Sequence, residues 1–295
     1  MSTSSILVSA ADDGFAGAAA VALLSAARRC RDRPDCLLID CGITPAGRAA
    51  VEMAFAHADV TLVWRTVDQS AFAELPLTAV LTRATYARLA VPELAGGLAA
   101  RSLYVDADTL TVAALDELLD LDLEGNAVAA VQDAGIGFVS RFGGVTGWRR
   151  LGIPAAAAHL NGGVLLIDHA AWRAAEITER AIELLGEHPE EATFADQGAM
   201  NAVLAGRWRP LPARYNVAVP RSFAIAAAGR IISRHVIVQR RDLAILHFMG
   251  LVKPWEADYA PSPYRRMYAR EVAQYAPALP APHYGGLWQW VRTHR

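Results

Sequence analysis

The sequence predicts an α/β fold with a mostly parallel central sheet. Short apolar runs of strand length alternate with longer stretches that carry helical periodicity, and this alternation is typical of a parallel, doubly wound sheet. Apolar residues make up 54% of the 295 residues, so a large core can be buried. The length is enough for one large domain or two small ones, and the sequence contains no internal repeat.

Seven apolar runs are predicted to be strands because each is short and bounded by turn-forming residues. They lie at residues 5–10, 36–40, 60–64, 102–105, 127–131, 163–167 and 243–248. The first two, SILVSA and CLLID, are apolar almost throughout and therefore predict strands that are buried on both faces.

Helices are predicted between these strands. The start of the second helix is marked by Thr44, a residue suited to an N-cap, and by Pro45 at the first helical position. The predicted helices cover residues 16–29, 45–57, 82–94, 170–187 and 196–205. Residues 134–158 have no clear period and predict either a flexible flap or a small insertion.

Charge and cysteine content argue against several functions. The net charge is −2, from 28 basic and 30 acidic residues, which argues against nucleic acid as a partner. The three cysteines lack metal-type pairing with histidines and favour a reduced, cytoplasmic compartment. The N-terminus lacks the basic segment of a signal peptide, and no apolar run reaches the ~18 residues of a membrane span, so we expect a cytoplasmic protein.

Acidic residues follow three of the predicted strands. Asp12 and Asp13 follow the first strand, Asp106 and Asp108 follow the fourth, and Asp133 follows the fifth. Open α/β sheets bind ligands beyond the carboxyl ends of their strands. We therefore expect these carboxylates to gather at one edge of the sheet and to form a binding site there.

The segment Asp106-Ala107-Asp108 allows three interpretations. Its carboxylates could be solvated turn residues, since an Asp-x-Asp pattern alone is a weak signal. They could hold a divalent cation against a diphosphate, because residues two apart in extended backbone face the same side and carboxylate oxygens suit Mg²⁺, Ca²⁺ or Mn²⁺. The first aspartate could instead be a nucleophile, as in the haloacid-dehalogenase phosphatases.

The position of the motif argues against the phosphatase interpretation. That family's motif usually ends in Thr or Val at its fifth place, where this chain has Leu110. It also usually follows the first strand of the fold, whereas at least three predicted strands precede it here. The family further needs a late acidic pair, and residues 201–241 contain no acidic residue.

Three later segments combine small and polar residues with apolar runs. HLNGGVLLID (159–168) could be a tight turn or a place where a ligand approaches the backbone. In TFADQGAMNAVLAGRW (193–208), Asp196 could be a plain N-cap or a site residue. In AILHFMGLVKPW (244–255), His247 could be a core histidine, and Lys253, the chain's single lysine, could reach a diphosphate as a point charge.

Six segments of the chain resemble one family when taken together and in order. They are AADDGF, ATYARL, LYVDADTL, HLNGGVLLID, DQGAMNAVLAGRW and HFMGLVKPW. They are similar to the retaining glycosyltransferases of family eight, which includes glycogenin and bacterial lipopolysaccharide galactosyl- and glucosyltransferases. The resemblance covers roughly residues 5–256. It implies a single-domain, Rossmann-like nucleotide-sugar-binding fold of the GT-A type over residues 1–256, followed by a tail rich in Pro, Arg and aromatic residues at 257–295.

The resemblance also implies the ligands and the residues that bind them. Asp106, Asp108 and His247 match the residues that hold Mn²⁺ on the diphosphate of a UDP-sugar, with Mg²⁺ as a second candidate. The positions that match donor-binding residues are Ala11, Asp12, Phe15, Arg88, Ala107, Asp133, Asn161, Gly162, Gly250 and Lys253. The chain departs from the family pattern where Gly14-Phe15 replaces the usual Asn-Tyr and where Gly162 replaces the usual Ala.

The reaction implied is transfer of galactose or glucose, with retention, from a UDP-hexose to a saccharide or lipid-linked saccharide acceptor. Gln197 and Asp196 match the catalytic positions. Retaining hydrolases use a carboxylate nucleophile, whereas Gln197 is an amide and a poor nucleophile, which favours attack from the face that UDP leaves. The alternative function is a nucleotide-sugar-binding protein with little or no turnover.

Arginine supplies 27 of the 28 basic residues, and two arginine-rich stretches bear on the acceptor. Residues 201–241 hold eight arginines and no acid, which indicates either a solvated basic face or a docking surface for an acidic acceptor. The tail from Tyr264 holds five arginines and six Tyr or Trp residues. It is a candidate for peripheral contact with the inner face of the membrane.

Overall fold

A seven-stranded sheet lies at the centre of the molecule. The computed structural model describes residues 5–67, 72, 75, 83–191, 193–219, 242–250, 252–257 and 259–275. The strands are β1 (Ser5–Ala11), β2 (Cys36–Asp40), β3 (Leu62–Thr66), β4 (Arg101–Val105), β5 (Thr109–Thr111), β6 (Val128–Gln132), β7 (Leu160–Asp168), β8 (Arg209–Pro210), β9 (Val217–Ala218) and β10 (Ile245–His247). The large sheet has the order β3-β2-β1-β4-β7-β6-β8.

Most neighbouring strands of this sheet run parallel. The parallel pairs are β1 with β2, β1 with β4, β2 with β3, and β6 with β8, whereas β7 is antiparallel to both β4 and β6. The predicted α/β fold with a mostly parallel sheet is therefore confirmed. The chain passes from β1 to β2 and β3 on one side and to β4 on the other, so a crevice opens at the carboxyl ends of β1 and β4.

Helices cover both faces of the sheet. They are α1 (Ala16–Ala27), α2 (Pro45–Ala58), α3 (Val91–Leu94), α4 (Asp116–Leu119), α5 (His169–Ala174), α6 (Ile177–Glu187), α7 (Asp196–Leu204) and α8 (Pro263–Tyr275). In β1, Leu7 and Ala11 face a core shared with α1, α2 and α8, whereas Ile6, Val8 and Ala10 face a core shared with α5, α6 and α7. This alternation follows from the two-residue period of a strand.

The start of α2 follows the predicted capping pattern. Oγ1 of Thr44 accepts a hydrogen bond from N of Gly47 at 3.1 Å, and Pro45 is the first helical residue. Asp13 accepts hydrogen bonds from both N and Oγ1 of Thr44, at 2.8 and 2.7 Å. Asp13 therefore ties the loop after β1 to α2, while its neighbour Asp12 faces the crevice.

A small sheet of β5, β10 and β9 lies beside the crevice. β10 pairs antiparallel with β5, and this register sets His247 opposite Thr109. Because Thr109 directly follows Asp108, the pairing brings His247 beside the aspartates at the end of β4. The small sheet thus joins two parts of the site that are far apart in sequence.

The predicted helix over residues 82–94 is only partly α-helical. Arg83–Ala90 is a 3₁₀ helix, Val91–Leu94 is α3, and residue 82 lies outside the described residues. Pro92 has no N–H to donate to O of Arg88, so an α-helix that continued from residues 83–90 would lose a hydrogen bond there. Pro92 lies instead in the first turn of α3, where no such bond is needed.

The predicted helix over residues 170–187 is broken into α5 and α6. The break lies at Glu176, which has a left-handed φ of 50°. The turn allows Oγ1 of Thr178 to donate to O of Leu89 at 2.6 Å and to accept from the indole N–H of Trp172 at 2.9 Å. These tertiary hydrogen bonds compensate for the interrupted helix.

Residues 134–158 form a small insertion with a packed centre. An isolated bridge joins Phe138 to Ala158, and the rest of the segment consists mainly of turns. Val139, Val145 and Ile153 are buried together and pack against α7. Of the two alternatives predicted for this segment, the small insertion agrees with this packing.

The predicted C-terminal tail begins with a helix that shares the main core. In α8, Tyr268, Val272 and Tyr275 are buried in the core formed with α1 and α2. The carboxylate of Glu271 pairs with Arg29, with Oε2 and Nη2 3.0 Å apart. Residues 263–275 are therefore packed with the preceding chain. The division of the chain after residue 256 stays a prediction, and residues 276–295 lie outside the described residues.

Candidate active site

The crevice at the carboxyl ends of β1 and β4 contains a cavity of about 190 Å³. Eight of the predicted site residues line it, namely Ala11, Asp12, Phe15, Arg88, Asp106, Ala107, Asp108 and Lys253. Six of them meet because β1 and β4 are parallel neighbours, so the ends of these strands and the loops that follow share one edge of the sheet. Arg88 comes from the 3₁₀ helix before α3, and Lys253 comes from the loop after β10. The other predicted site residues lie outside this lining, namely Asp133, Asn161, Gly162, Asp196, Gln197, His247 and Gly250.

Asp106, Asp108 and His247 form a group that could hold a metal ion. One oxygen of each carboxylate and one ring nitrogen all lie within 4.8 Å of one another. Nε2 of His247 is 3.2 Å from Oδ1 of Asp108 and 3.7 Å from Oδ2 of Asp106. Two carboxylates and one imidazole are suitable ligands for Mn²⁺, and the carboxylates also suit Mg²⁺. The residues present therefore fit a divalent ion of this kind.

Gly163 makes room for this group. A Cβ atom at this position would lie 2.2 Å from Cε1 of His247 and 3.0 Å from Oδ2 of Asp106. The carbonyl of Gly163 also accepts a hydrogen bond from N of Asp106 at 2.8 Å. The missing side chain and the backbone bond together let β7 approach the end of β4 and β10 this closely. The sequence signal for this role is the Gly-Gly pair that enters an apolar strand.

Hydrogen bonds connect His247 to Asp133 through two asparagines. Nδ1 of His247 lies 2.9 Å from Oδ1 of Asn216. Nδ2 of Asn216 donates to Oδ1 of Asn161 at 2.8 Å, and Nδ2 of Asn161 donates to Oδ2 of Asp133 at 2.9 Å. Because a carboxylate only accepts, both amides are oriented in one sense and Nδ1 of His247 donates. Its Nε2 is left facing the two aspartates, as a metal ligand requires.

Asn216 and Tyr104 belong to the site although the sequence analysis did not single them out. Tyr104 donates its hydroxyl to Oδ1 of Asp106 at 2.9 Å. The sequence could have indicated Tyr104, because it lies two residues before Asp106 and both side chains therefore face the same side of the strand. Asn216 carried only a weak signal, a polar residue before the short run VAV, within a segment whose main feature was its arginines.

Arg88 is buried and bridges the two halves of the site. Its Nη2 lies 3.1 Å from Oδ1 of Asp106, and its Nε lies 2.6 Å from Oδ2 of Asp196. Nη1 donates to O of Gly162 at 2.6 Å. A Cβ atom on Gly162 would lie 2.5 Å from that Nη1. Glycine at this position therefore allows the guanidinium to approach β7.

The helix α7 presents Asp196 to this guanidinium. Asp196 is the first helical residue, Ala195 takes the N-cap place, and the carboxylate of Asp196 faces Arg88. Asp196 is therefore not the N-cap of α7, which was one of its two interpretations from the sequence. The preceding Phe194 and Ala195 have φ values of 61° and 52°. Such backbone costs about 1–3 kcal/mol per residue, and it is found where surrounding contacts hold it in place.

Gln197 faces the start of β7. Its Oε1 accepts from N of Gly162 at 2.9 Å, and its Nε2 lies 3.5 Å from Oδ2 of Asp133. One turn later, the amide of Asn201 pairs with the backbone of Leu160, at 2.7 and 3.0 Å. This pairing fixes α7 against β7 and so holds Gln197 in position.

Lys253 reaches the metal-binding group from the loop after β10. Its Nζ lies 2.5 Å from Oδ2 of Asp108 and 3.3 Å from O of Phe248. Gly250 is exposed in the turn between β10 and Lys253, where its φ of 108° is one that L-residues with a side chain rarely adopt. This turn brings the lysine back towards the crevice.

Burial and neighbouring charges change the pKa values of several site residues, among them Asp108, His247 and Asp196. Burial alone would raise the pKa of Asp108, but His247 and Lys253 outweigh it and hold that pKa well below its usual value. Burial would lower the pKa of His247, but Asp108 outweighs it and raises that pKa. Burial raises the pKa of Asp196 to about 6, because Arg88 does not offset the desolvation of the carboxylate. Without an ion, His247 thus favours a second proton, which a metal would displace.

Comparison with known proteins gives the family. The family model for glycosyl transferase family 8 matches residues 6–258. The chain belongs to this family. General stress protein A of Bacillus subtilis (strain 168) is 30% identical to this family 8 chain over an alignment of 269 residues that covers 89% of this chain and 91% of that protein. The lipopolysaccharide 1,2-glucosyltransferase of Escherichia coli (strain K12) is 29% identical over 181 residues, 61% of this chain and 52% of that enzyme.

Solved structures agree with the family 8 assignment. The galactosyltransferase LgtC, in complex with donor and acceptor sugar analogues, matches with a TM-score of 0.76 at 26% identity. The match covers 97% of this chain and 99% of LgtC. The family 8 chain is therefore a glycosyltransferase with the GT-A type of fold, and the resemblance inferred from its six motifs is confirmed.

Proposed function

We propose that this enzyme transfers a hexose, galactose or glucose, from a UDP-sugar to a saccharide or lipid-linked saccharide, with retention of configuration. The observation that carries the proposal is the meeting of Asp106, Asp108, His247 and Lys253 beside one cavity. A divalent ion with an adjacent ammonium group is the arrangement that a departing diphosphate needs. The galactosyl- and glucosyltransferase relatives support the choice of hexose.

The nucleoside of the donor is assigned to the cavity wall formed by Ala11, Asp12, Phe15 and Ala107. The uracil ring can stack on Phe15, and the carboxylate of Asp12 can accept from the uracil N–H. The small side chain of Ala107 leaves space for the ribose beside the metal-binding aspartates. Gly14, in place of the family's usual Asn, removes one polar contact but leaves the stacking residue.

The ion is proposed to be Mn²⁺, with Mg²⁺ as the second candidate, and Asp106, Asp108 and His247 would hold it. When bound, it would neutralise charge that develops on the diphosphate. Lys253 adds a positive charge at the same point, because its Nζ already lies against Asp108. Gly250 allows the turn that delivers this lysine.

The proposed reaction follows a same-face course. The bond between the anomeric carbon and the diphosphate oxygen breaks, and the acceptor hydroxyl bonds to that carbon from the face that UDP leaves. The acceptor's proton passes to a departing phosphate oxygen, so no separate base is needed. Arg88, Asp133, Asn161, Gly162 and Asp196 are assigned to the wall around the sugar.

Gln197 is proposed to stabilise the cationic sugar with its amide oxygen. That oxygen accepts one hydrogen bond, from N of Gly162 at 2.9 Å, and keeps a second lone pair for the substrate. A structure of LgtC in which an active-site glutamine is changed to glutamate supports a role for a glutamine in that enzyme's active site. The retained hydrogen bonds of Gln197 keep it in place before the sugar arrives.

A nucleotide-sugar-binding protein with little turnover is the alternative function. The departures at Gly14 and Gly162 are the sequence features that allow it. Gly162, however, has a defined role, because the absence of a Cβ allows Arg88 to bind its carbonyl. This arrangement favours the enzyme over the binding protein.

The acceptor and the cellular location stay predictions. Parts of the arginine-rich stretch 201–241 and all of residues 276–295 lie outside the described residues. Among the helices in the described ranges, none is long and apolar enough to cross a bilayer. An acidic or lipid-linked saccharide acceptor, a cytoplasmic location and a peripheral contact of the tail with the inner membrane face therefore remain proposals.

The proposed function is tested by UDP release. The chain is incubated with a panel of UDP-sugars, with Mn²⁺ or with EDTA, and without an acceptor. We expect slow, Mn²⁺-dependent release of UDP from one donor, since such sites leak to water. No release from any donor, while UDP still raises the melting temperature, would favour the binding protein. Absence of UDP binding would overturn the assignment of the metal–diphosphate site.

A further inference from the structure

Arg265 of α8 holds the loop that follows Lys253. Its Nε donates to O of Pro254 at 3.2 Å, its Nη2 donates to O of Glu256 at 2.7 Å, and its Nη1 donates to O of Tyr259. Three backbone carbonyls of this loop thus meet on one planar guanidinium, whose donors point in fixed directions. Lysine could not bridge these carbonyls in the same way.

The same loop is tied directly to Lys253. Oε1 of Glu256 accepts from N of Lys253 at 3.1 Å, and N of Glu256 donates to O of Lys253 at 2.9 Å. The loop is therefore a closed turn, and fixing the carbonyl of Glu256 fixes the backbone from which the lysine side chain starts. That side chain then reaches Asp108 across the crevice.

Aromatic packing joins α8 to the nucleoside side of the cavity. The ring of Tyr268 packs against Trp255 at a centroid distance of 5.5 Å and against Phe248 at 5.4 Å. Trp255 meets Phe15 edge to face, at 5.7 Å and 85°. Phe248 directly follows His247, and Tyr268, Trp255 and Phe248 are all buried. The cluster therefore supports Phe15, which lines the cavity.

Contacts outside the loop also hold α8 in place, since Val272 and Tyr275 are buried in the core shared with α1 and α2. Oγ of Ser262 accepts from N of Arg265 at 3.0 Å in an N-cap, ahead of Pro263. At the other end of the helix, Glu271 pairs with Arg29 at 3.0 Å. The helix can therefore act as a fixed support for the loop that carries Lys253.

We propose that α8 is a supporting part of the donor site and that Arg265 is a positioning residue. Arg265 sets the loop so that Lys253 meets the donor's diphosphate, and Tyr268 sets Phe15 against the base through Trp255. The inference rests on the proposed function, and it extends the site into the stretch that the sequence predicts to be a tail. It also assigns separate tasks to the two residues of α8.

The test compares Arg265→Gln with Arg266→Gln, an exposed neighbour on the same helix. Dissociation constants for UDP and for uridine are measured with Mn²⁺ present, well below the melting temperature of each variant. We expect Arg265→Gln to weaken the binding of UDP by about tenfold, the size of effect expected when a charge-assisted contact is lost. The affinity for uridine should not change. Arg266→Gln should change neither. Tyr268→Leu should weaken the binding of both ligands, and Tyr268→Phe, which keeps the ring, should weaken it less.

A double-mutant cycle separates positioning from plain stability. In a Lys253→Met background, Arg265→Gln should no longer affect UDP binding, because Arg265 acts through the lysine. The same loss in both backgrounds, or a lower melting temperature with unchanged UDP affinity, would overturn the inference. Arg265→Lys keeps the charge but loses the planar guanidinium group, and it should show a smaller loss of UDP affinity. This variant replaces Arg265→Gln in the test if the latter fails to fold. If the unaltered chain does not bind UDP, the proposed function fails as well.

Discussion

Nδ1 of His247 and Oδ1 of Asn216 lie 2.9 Å apart, and both side chains are buried. Partners of this kind fix the orientation and basicity of a ligating histidine, and their removal costs about 10–100-fold in metal affinity. We expect Asn216→Leu to weaken Mn²⁺ binding by that factor, measured by calorimetry at saturating UDP. Asn126→Leu, in a surface turn, is the control. Equal Mn²⁺ affinity of Asn216→Leu and the unaltered chain would contradict the assignment of Asn216 as the partner that orients His247.

Gly163→Ala should abolish Mn²⁺ binding and lower stability. The added Cβ would lie 2.2 Å from Cε1 of His247, so the ring must leave its place between the aspartates. Overpacking of this kind costs about 1–3 kcal/mol, which urea unfolding can measure. The matched control is Gly186→Ala in α6, where the added Cβ would meet no atom within 4 Å beyond its chain neighbours and the backbone of its own helix. This change should stabilise the helix by up to about 1 kcal/mol. A Gly163→Ala chain that still binds Mn²⁺ would refute the packing argument.

The pKa of Asp196 predicts a dependence of stability on pH in the ion-free enzyme. Burial raises this pKa from 3.8 to about 6, so the folded chain binds the extra proton between these values. The contribution of Asp196 to stability is therefore present at low pH and is lost as pH rises through about 4 to 6. The difference in unfolding free energy between the unaltered chain and Asp196→Asn should fall by at most about 3 kcal/mol over that window. Parallel pH profiles of the two chains would count against the raised pKa.

Gln197→Ala should lower turnover and leave donor binding intact. The amide acts on the sugar as positive charge develops, and loss of one preorganised group of this kind costs about 10²–10³ in kcat. The measurement is kcat and KM with the donor identified from the UDP panel, together with the dissociation constant for UDP. Gln132→Ala, at an exposed glutamine, is the control. A rise in KM with unchanged kcat would instead assign Gln197 to ground-state binding.

Two shortened chains separate a membrane role of the tail from its structural role. A chain ending at Tyr275 keeps α8 and should retain UDP affinity and melting temperature, whereas a chain ending at Trp255 should lose both. Co-sedimentation with anionic vesicles then compares the full chain with the Tyr275 form. If the tail contacts the membrane, only the full chain sediments. Equal sedimentation of the two would contradict the proposed role of residues 276–295.

The elements and motifs that depend on local sequence were predicted well. The predicted strand at residues 36–40 and the predicted capped start of α2 are confirmed. Both were predictable because a buried strand requires a run of apolar residues and a helix start favours particular capping residues. The convergence of Asp12, Asp106 and Asp108 was predictable for a related reason, since parallel strands share their carboxyl edge.

The residues that escaped prediction depend on long-range register. Asn216 joins the site because β9 pairs with β10, and Gly163 matters because β7 lies against the end of β4. Arg265 lies in a stretch whose prolines, arginines and aromatic residues suggested a tail. Its role depends on a helix that packs on α1, and nothing in the local pattern records that contact.

The scarcity of lysine would make amine labelling selective for the site. Lys253 supplies the chain's single ε-amino group, and Nζ of that residue lies against Asp108 at the crevice. Apart from the α-amino group, an amine-selective acylating reagent therefore has one amine target in this sequence, located where the donor's diphosphate is proposed to bind. The mass of the intact protein after such labelling would report directly on occupancy of the crevice, without a radioactive donor or a known acceptor.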